Sequence, residues 1–372
     1  MGDVLVVGCG LIGASVGMAL TQAGWDVLLH DENPSRVGHA VRRGAGRPWE
    51  SNETVQTVLV AVPPQVTARV VIEVQLLDVG RTYTHVASVQ SQPQREVEAL
   101  SPDPSAVIGG HPLAGRELSG PGAATADLFV GRPWALCPGP SARQTALVDV
   151  RRLVAAVGAD VVELAADAHD ASVAVLSHLP QVASSALAAG LVRSVPVTES
   201  SGRLQLAGPG IVDTTRLAAS DPDLWVQILE LNAAEVAPVV TVLAERLAVT
   251  AAALTALAGT PTPADAAAAV AVLRDLLRDG NAGRVLVPVK RGFRSAAFAP
   301  VKVTVSDEPG RLAALLTDAG RAQVNVEDVH VEHVPGRPTG VIELLVARED
   351  MGRLSDALVA SGWTVDEQDD RR

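Results

Sequence analysis

A chain of 372 residues is long enough for two or three domains with cores of their own. Its net charge of −12, with no basic run, excludes a nucleic-acid footprint. Two cysteines, Cys9 and Cys137, exclude a disulfide framework, and eight histidines without HExxH-type spacing predict no metal.

Asp3 to Val7 reads as a short buried strand, and Gly8-Cys9-Gly10-Leu11-Ile12-Gly13 opens a helix that runs to about Ala23. The apolar stretch Val4 to Leu20 lacks a basic leader and runs into a nucleotide fingerprint, so a cytoplasmic chain is expected. No run of about twenty strongly apolar residues predicts a membrane span. Trp25 to His30 reads as a second strand with Asp31 at its tip, followed by strands at Thr57 to Val62 and Arg81 to Ala87. Alternating strands and helices over residues 1–165 predict a doubly wound parallel sheet of the Rossmann type.

Residues 166–285 change character: alanine-rich helical pattern, few strand formers, and a cap at Ser220-Asp221-Pro222. Gly259 to Pro263 breaks the pattern, and a further helix is expected from about Ala264 to Leu277. Helices with so much small apolar surface bury it against a partner copy, so a homodimer is expected. After a linker at 286–299, residues 300–368 show the order βαββαβ, which predicts a ferredoxin-like domain.

A GxGxxG match gains weight from its setting after a strand and before a helix. Gly8 permits the tight turn, Gly10 lets a pyrophosphate approach the backbone, and Gly13 lets the helix pack on the sheet. The N–H groups of the helix start, at Leu11 and Ile12, face the phosphates. Asp31, 18 residues beyond Gly13, would accept from a ribose 2′-hydroxyl and repel a 2′-phosphate, which favours NAD over NADP, although Arg36 lies close in sequence.

The stretch Gly109-Gly110-His111-Pro112-Leu113-Ala114-Gly115-Arg116-Glu117-Leu118-Ser119-Gly120 holds one imidazole among glycines and a proline. A histidine so placed suits a general base, because imidazole titrates near neutrality, or it braces its loop. The stretch resembles the HPMAG-x-E-x-SG signature of the prephenate and arogenate dehydrogenases. Asp213-Thr214-Thr215-Arg216-Leu217-Ala218, followed by Trp225 and Asn232, resembles that family's DTTR segment. His169-Asp170 with Ser177-His178-Leu179-Pro180-Gln181 resembles a third segment, and Ser88 matches the serine of D-x-x-S-V-K.

The resemblance implies an NAD-dependent oxidative decarboxylation of prephenate or arogenate in tyrosine formation. It implies His111 as the base on the 4-hydroxyl, Arg216 on a substrate carboxylate, and Ser88 near nicotinamide and substrate. His169, Ser177 and Gln181 would line the substrate pocket. Read without the family, Arg216 would be a solvated partner of Asp213 and Ser88 a strand-end cap. His169 and His178 are nine apart, half a turn out of register, and meet only if the helix bends at Pro180.

Asp307-Glu308-Pro309-Gly310-Arg311-Leu312 and Asn325-Val326-Glu327-Asp328 resemble the effector loops of an ACT domain. That likeness implies tyrosine as effector, held by Asp307, Pro309, Gly310 and Asn325. Three positions depart from the family pattern: His85 for Asp, Gln90 for Lys, and Gln181 for the second histidine of SHLPH. They leave arogenate open as substrate beside prephenate, and they also admit a catalytically silent sensor of nucleotide and amino acid.

Overall fold

The computed structural model describes residues 2–51, 53–114, 120–194, 204–287, 298–333 and 339–366. Gly115 to Ser119 of the histidine loop, 288–297 of the expected linker and the charged tail lie outside these residues. The chain forms two compact units, 1–243 and 244–372, so the division falls inside the helix Ala233–Ala258.

Unit one begins with β1 (Asp3–Val7), α1 (Leu11–Gln22), β2 (Asp26–His30), α2 (Pro34–Arg42), β3 (Arg47–Pro48) and β4 (Val55–Val60). It continues through α3 (Thr67–Leu76), β5 (Gly80–His85), α4 (Ser91–Leu100), β6 (Val107–Pro112), β7 (Pro133–Pro138), α5 (Gln144–Ala156) and β8 (Asp160–Glu163). The strands form one sheet in the order β3-β2-β1-β4-β5-β6-β7-β8. Its apolar runs are continuous because both faces are covered. Val4 and Val6 pack with Leu20, Leu29, Trp134 and Leu153, whereas Leu5 and Val7 pack with Val58, Val60, Val71 and Tyr83.

The expectation of a wholly parallel sheet needs correction at one edge. β1 to β6 run parallel, but β7 is antiparallel to β6, with Gly110 opposite Leu136, and β8 is parallel to β7. A parallel neighbour needs a crossover, usually helical. Among the described residues, the connection from β6 to β7 holds only a short turn at Pro121–Ala123, so the chain returns antiparallel. The helix α5 supplies the crossover from β7 to β8.

The helical segment follows with α6 (Ala166–Val173), a π-turn at Ala174–His178, α7 (Leu179–Ser194), α8 (Pro209–Thr215), a short turn at Arg216–Ala219 and α9 (Pro222–Leu231). Asp221 caps α9 by accepting from Asp223 N at 2.9 Å, as its sequence pattern predicts. α10 (Ala233–Ala258) then passes from unit one into unit two. By length and composition alone, Ala166–Arg193 and Ala233–Ala258 could cross a membrane, which corrects the expectation that no such run exists. Alanine, spread through both helices, raises their mean hydropathy without large side chains.

Unit two holds α11 (Pro263–Leu286), which runs nine residues past the expected end at Leu277 because Gly280 and Gly283 do not break it. It continues through β9 (Phe298–Ser306), α12 (Arg311–Arg321), β10 (Val326–His333), β11 (Thr339–Ala347), α13 (Met351–Ala360) and β12 (Thr364–Val365). The sheet order is β10-β11-β9-β12, and each neighbouring pair is antiparallel. Val303, Leu315, Ile342, Leu344, Leu354 and Leu358 form its core.

Candidate active site

The glycine turn stands at the carboxyl end of β1, where the strand order reverses between β1 and β4 and open sheets bind ligands. Gly8 has φ +102°, and a Cβ there would lie 2.3 Å from the Ala61 carbonyl oxygen. A Cβ on Gly13 would lie 1.9 Å from Gly8 O, so only glycine lets α1 begin so close to β1. A Cβ on Gly10 would meet nothing within 4 Å, which leaves the space a pyrophosphate needs. Asp31 Oδ1 accepts from Asn33 N at 2.9 Å, and the Arg36 guanidinium lies 3.7 Å from the same oxygen. Leu11 and Ile12 open α1 behind the Gly10 cap with their N–H groups toward that space. The residues present fit a dinucleotide.

His111 stands near the carboxyl end of β6, on the same edge of the sheet. Its Nδ1 lies 2.9 Å from His169 Nε2, and the rings meet edge to face at 5.1 Å. His169 Nδ1 lies 2.8 Å from Asp170 Oδ1. Both ring nitrogens of His169 are therefore engaged inside the protein. Burial, then the neighbouring His169 and His178, pushes the His111 imidazole down to about 3. It is uncharged at neutral pH and able to accept a proton.

The nine-residue spacing of His169 and His178 is resolved by the π-turn rather than by Pro180. One wider turn rephases the helix, and Asn232 Nδ2 reaches both the Asp170 carbonyl oxygen at 2.9 Å and His178 Nδ1 at 3.1 Å. His178 is 1% exposed and stands edge to face with Trp225, so it braces the cluster.

Ser88 lies half-buried in the loop just beyond β5, on the ligand edge of the sheet. Ser177 sits half-buried in the π-turn. Gln181 is buried, and its Nε2 donates to Leu217 O at 2.9 Å, which places α7 against the residue after Arg216. Arg216 itself is exposed at the start of the turn after α8. Sequence reasoning missed the parts played by Asp170, Asn232 and Gln90, because the links that join them, Gln90 to Asp170 and Asn232 to Asp170, span 80 and 62 positions of the chain. An open depression of about 680 Å³, lined by Arg95, Glu98, Pro138 and Asp167 among others, has none of the expected site residues in its wall. Among the described residues no group of side chains could hold a metal ion.

Family models match two consecutive parts of the chain: the nucleotide-binding domain of prephenate dehydrogenase over residues 16–163, and its dimerization domain over residues 165–256. The chain belongs to the prephenate dehydrogenase family. A probable prephenate dehydrogenase of Streptomyces niveus is 36% identical over 369 residues, which cover 98% of this chain and 99% of the relative. The crystal structure of prephenate dehydrogenase from A. aeolicus with hydroxyphenyl propionate and NAD+ is 24% identical. It covers 75% of this chain and 97% of its own with a TM-score of 0.64. Synechocystis arogenate dehydrogenase is 24% identical, covering 76% and 98% with a TM-score of 0.61, and these two structures share the fold. The chain carries the nucleotide-binding and dimerization domains of this dehydrogenase family.

Within unit two, Gly310 has φ +88° and caps α12, and Asn325 Nδ2 donates to Glu327 Oε1. Asp307, Pro309 and Gly310 precede α12 and Asn325 follows it, so the eleven-residue helix holds them at opposite ends, ~16 Å apart. One copy does not bring the four expected effector residues together.

Proposed function

We propose that this enzyme oxidises and decarboxylates prephenate to 4-hydroxyphenylpyruvate with NAD. The observation that carries this reading is the uncharged His111 ring on the ligand edge of the sheet that also bears the Gly8–Gly13 turn. The Gly8–Gly13 turn and Asp31 would hold NAD, which would supply the acceptor for the hydride at C4 of the ring. His111 takes the 4-hydroxyl proton as that hydride leaves. The ring carboxylate then departs as CO2, its bonding pair completes the aromatic ring, and the proton returns to the phenolate oxygen. Arg216 is assigned to a substrate carboxylate, since its planar fork suits a bidentate contact. Ser88 and Ser177 are assigned as hydroxyl contacts of cofactor or substrate.

Arogenate is the second reading, and Gln181 favours it. The Leu217 carbonyl accepts only from an N–H, which fixes the Gln181 amide with its oxygen turned the other way. That buried Oε1 has no hydrogen-bond partner. An acceptor there suits the ammonium group of arogenate better than the keto oxygen of prephenate.

The enzyme is further assigned as a homodimer through residues 165–256, supported by exposed Leu176, Val192, Val226 and Val242 on the helices of that segment. Residues 298–366 are assigned as a ferredoxin-like ACT domain that senses tyrosine, supported by the βαββαβ order and the loops beside α12. NADH formation at 340 nm with prephenate and arogenate in parallel tests the reading. Turnover of prephenate supports it, turnover of arogenate alone moves the assignment to the second reading, and none with either removes catalysis.

A further inference from the structure

We propose that Asp170, His169 and Gln90 are positioning residues that fix His111 as a base at its Nε2 atom. The proposal deepens the reading of His111 as the proton acceptor and rests on it.

Asp170 Oδ1 accepts from Gln90 N at 2.8 Å and Oδ2 accepts from Ser91 N at 2.8 Å. Backbone N–H groups only donate, so the carboxyl is held as the acceptor. Burial alone would raise its pKa, but these bonds and His169 bring it below the usual carboxylate range. The hydrogen between Asp170 and His169 therefore sits on His169 Nδ1. When that is the only hydrogen on the His169 ring, its Nε2 carries a lone pair. The facing atom, His111 Nδ1, must then donate across the 2.9 Å contact. That leaves His111 Nε2 without a hydrogen and free to accept one. The aspartate of the serine-protease triad holds its histidine by the same logic, here extended by a second imidazole.

When Nε2 takes the substrate's proton, His111 becomes a cation that still donates to His169. The Asp170 carboxylate one ring away offsets only part of the penalty that burial places on this charge. The other titratable groups around His111 are His85 and His178. Burial holds both down to about 4, so neither supplies a competing positive charge at neutral pH.

Gln90 joins the two ends of this arrangement. Its backbone N–H binds Asp170, while its side-chain Nε2 donates to Ala87 O at 2.6 Å and to Gly110 O at 2.9 Å. Gly110 directly precedes His111. One residue thus sets both the carboxylate and the backbone of the base. Gly109 makes room for it, since a Cβ there would come within 2.4 Å of Gln90 Oε1.

Long-range ¹H–¹⁵N NMR of the full chain with ¹⁵N-labelled histidine reads the tautomer directly, with His111 assigned from the His111→Asn spectrum. At pH 7.5 the expected result is a hydrogen on Nδ1 of both His111 and His169. A hydrogen on His111 Nε2 overturns the proposal. In kinetics, His169→Asn should lower kcat by roughly 10²-fold, with KM for the substrate changed less than about twofold. A raised KM with unchanged kcat would make His169 a substrate contact and also overturn it. If that variant does not fold, the wild-type spectrum still decides. Near-normal turnover of His111→Asn would remove His111 as the base, an outcome separate from the tautomer that the spectrum reports.

Discussion

The Asp31 carboxylate accepts the backbone N–H of Cys9 at 2.7 Å, so the acid that ends β2 is fastened to the glycine turn that ends β1. With Asn33 N on its other oxygen, the carboxylate is set in place before any ribose arrives. Asp31→Ala should raise KM for NAD roughly 10- to 100-fold, the worth of a hydrogen bond to a charged group. It should also narrow the preference over NADP, because Arg36 remains nearby. Steady-state kinetics with both cofactors checks this, and an unchanged KM for NAD would make Asp31 a fastener of the loop only.

Gly10 and Gly13 should separate binding from folding. Gly10→Ala places its methyl in open space, so the melting temperature should hold while NAD affinity falls. Gly13→Ala drives its methyl into Gly8 O and should cost ~2 kcal/mol or more of stability by overpacking. Thermal melts with NAD titrations of both variants give the comparison, and equal melting temperatures would contradict it.

The buried histidines should make the fold acid-sensitive above the carboxylate range. His85 and His178 are pushed down to about 4 and His111 to about 3, mainly by burial. The unfolded chain protonates near 6.5 whereas the folded chain does not, so protons favour unfolding as pH falls through this window. Stability should be full above about pH 6.5 and decline toward about pH 4, by at most ~1.4 kcal/mol per pH unit for each histidine. Asp170, held low, acts in the same direction, but only as pH falls through the ordinary carboxylate range, below the histidine window. Urea midpoints at pH 7.5, 6 and 5 measure the slope. A flat profile would mean that these rings charge freely in the folded protein.

Arg216→Ala should raise the substrate KM by at least tenfold, the scale of a lost charge-assisted contact, with a smaller effect on kcat. Initial-rate measurements decide it, and an unaltered KM would return Arg216 to the surface.

Removal of residues 298–372 should abolish inhibition by tyrosine if unit two carries the effector site. Because Gly310 and Asn325 sit at opposite ends of α12, a site using both needs two copies. Inhibition that persists in the truncated enzyme would place tyrosine in the active site as a competitor.

Much of the chemistry was legible in local spacing. The glycine turn, Asp31 and the His111 loop lie in short segments whose residue types state their own geometry. The direction of β7 was not legible, since Pro133 to Pro138 shows the same burial whichever way it runs. Arithmetic at 3.6 residues per turn put His169 and His178 on opposite faces, and the π-turn between them leaves no mark in composition. Gln90 showed only as a departure from a family pattern. Its link to Asp170 spans 80 positions and exists only once the sheet and α6 have packed.

The reversed direction of β7 has a practical consequence. Its last residue, Pro138, pairs with Ile108 near the start of β6, so the chain emerges at the rim opposite the glycine turn. The next residues lead to Ser141, whose hydroxyl rests on Glu98 at the far end of α4. A fluorophore or a grafted peptide carried at this bend would ride on the rim remote from hydride transfer, which makes it a natural handle for watching the enzyme work.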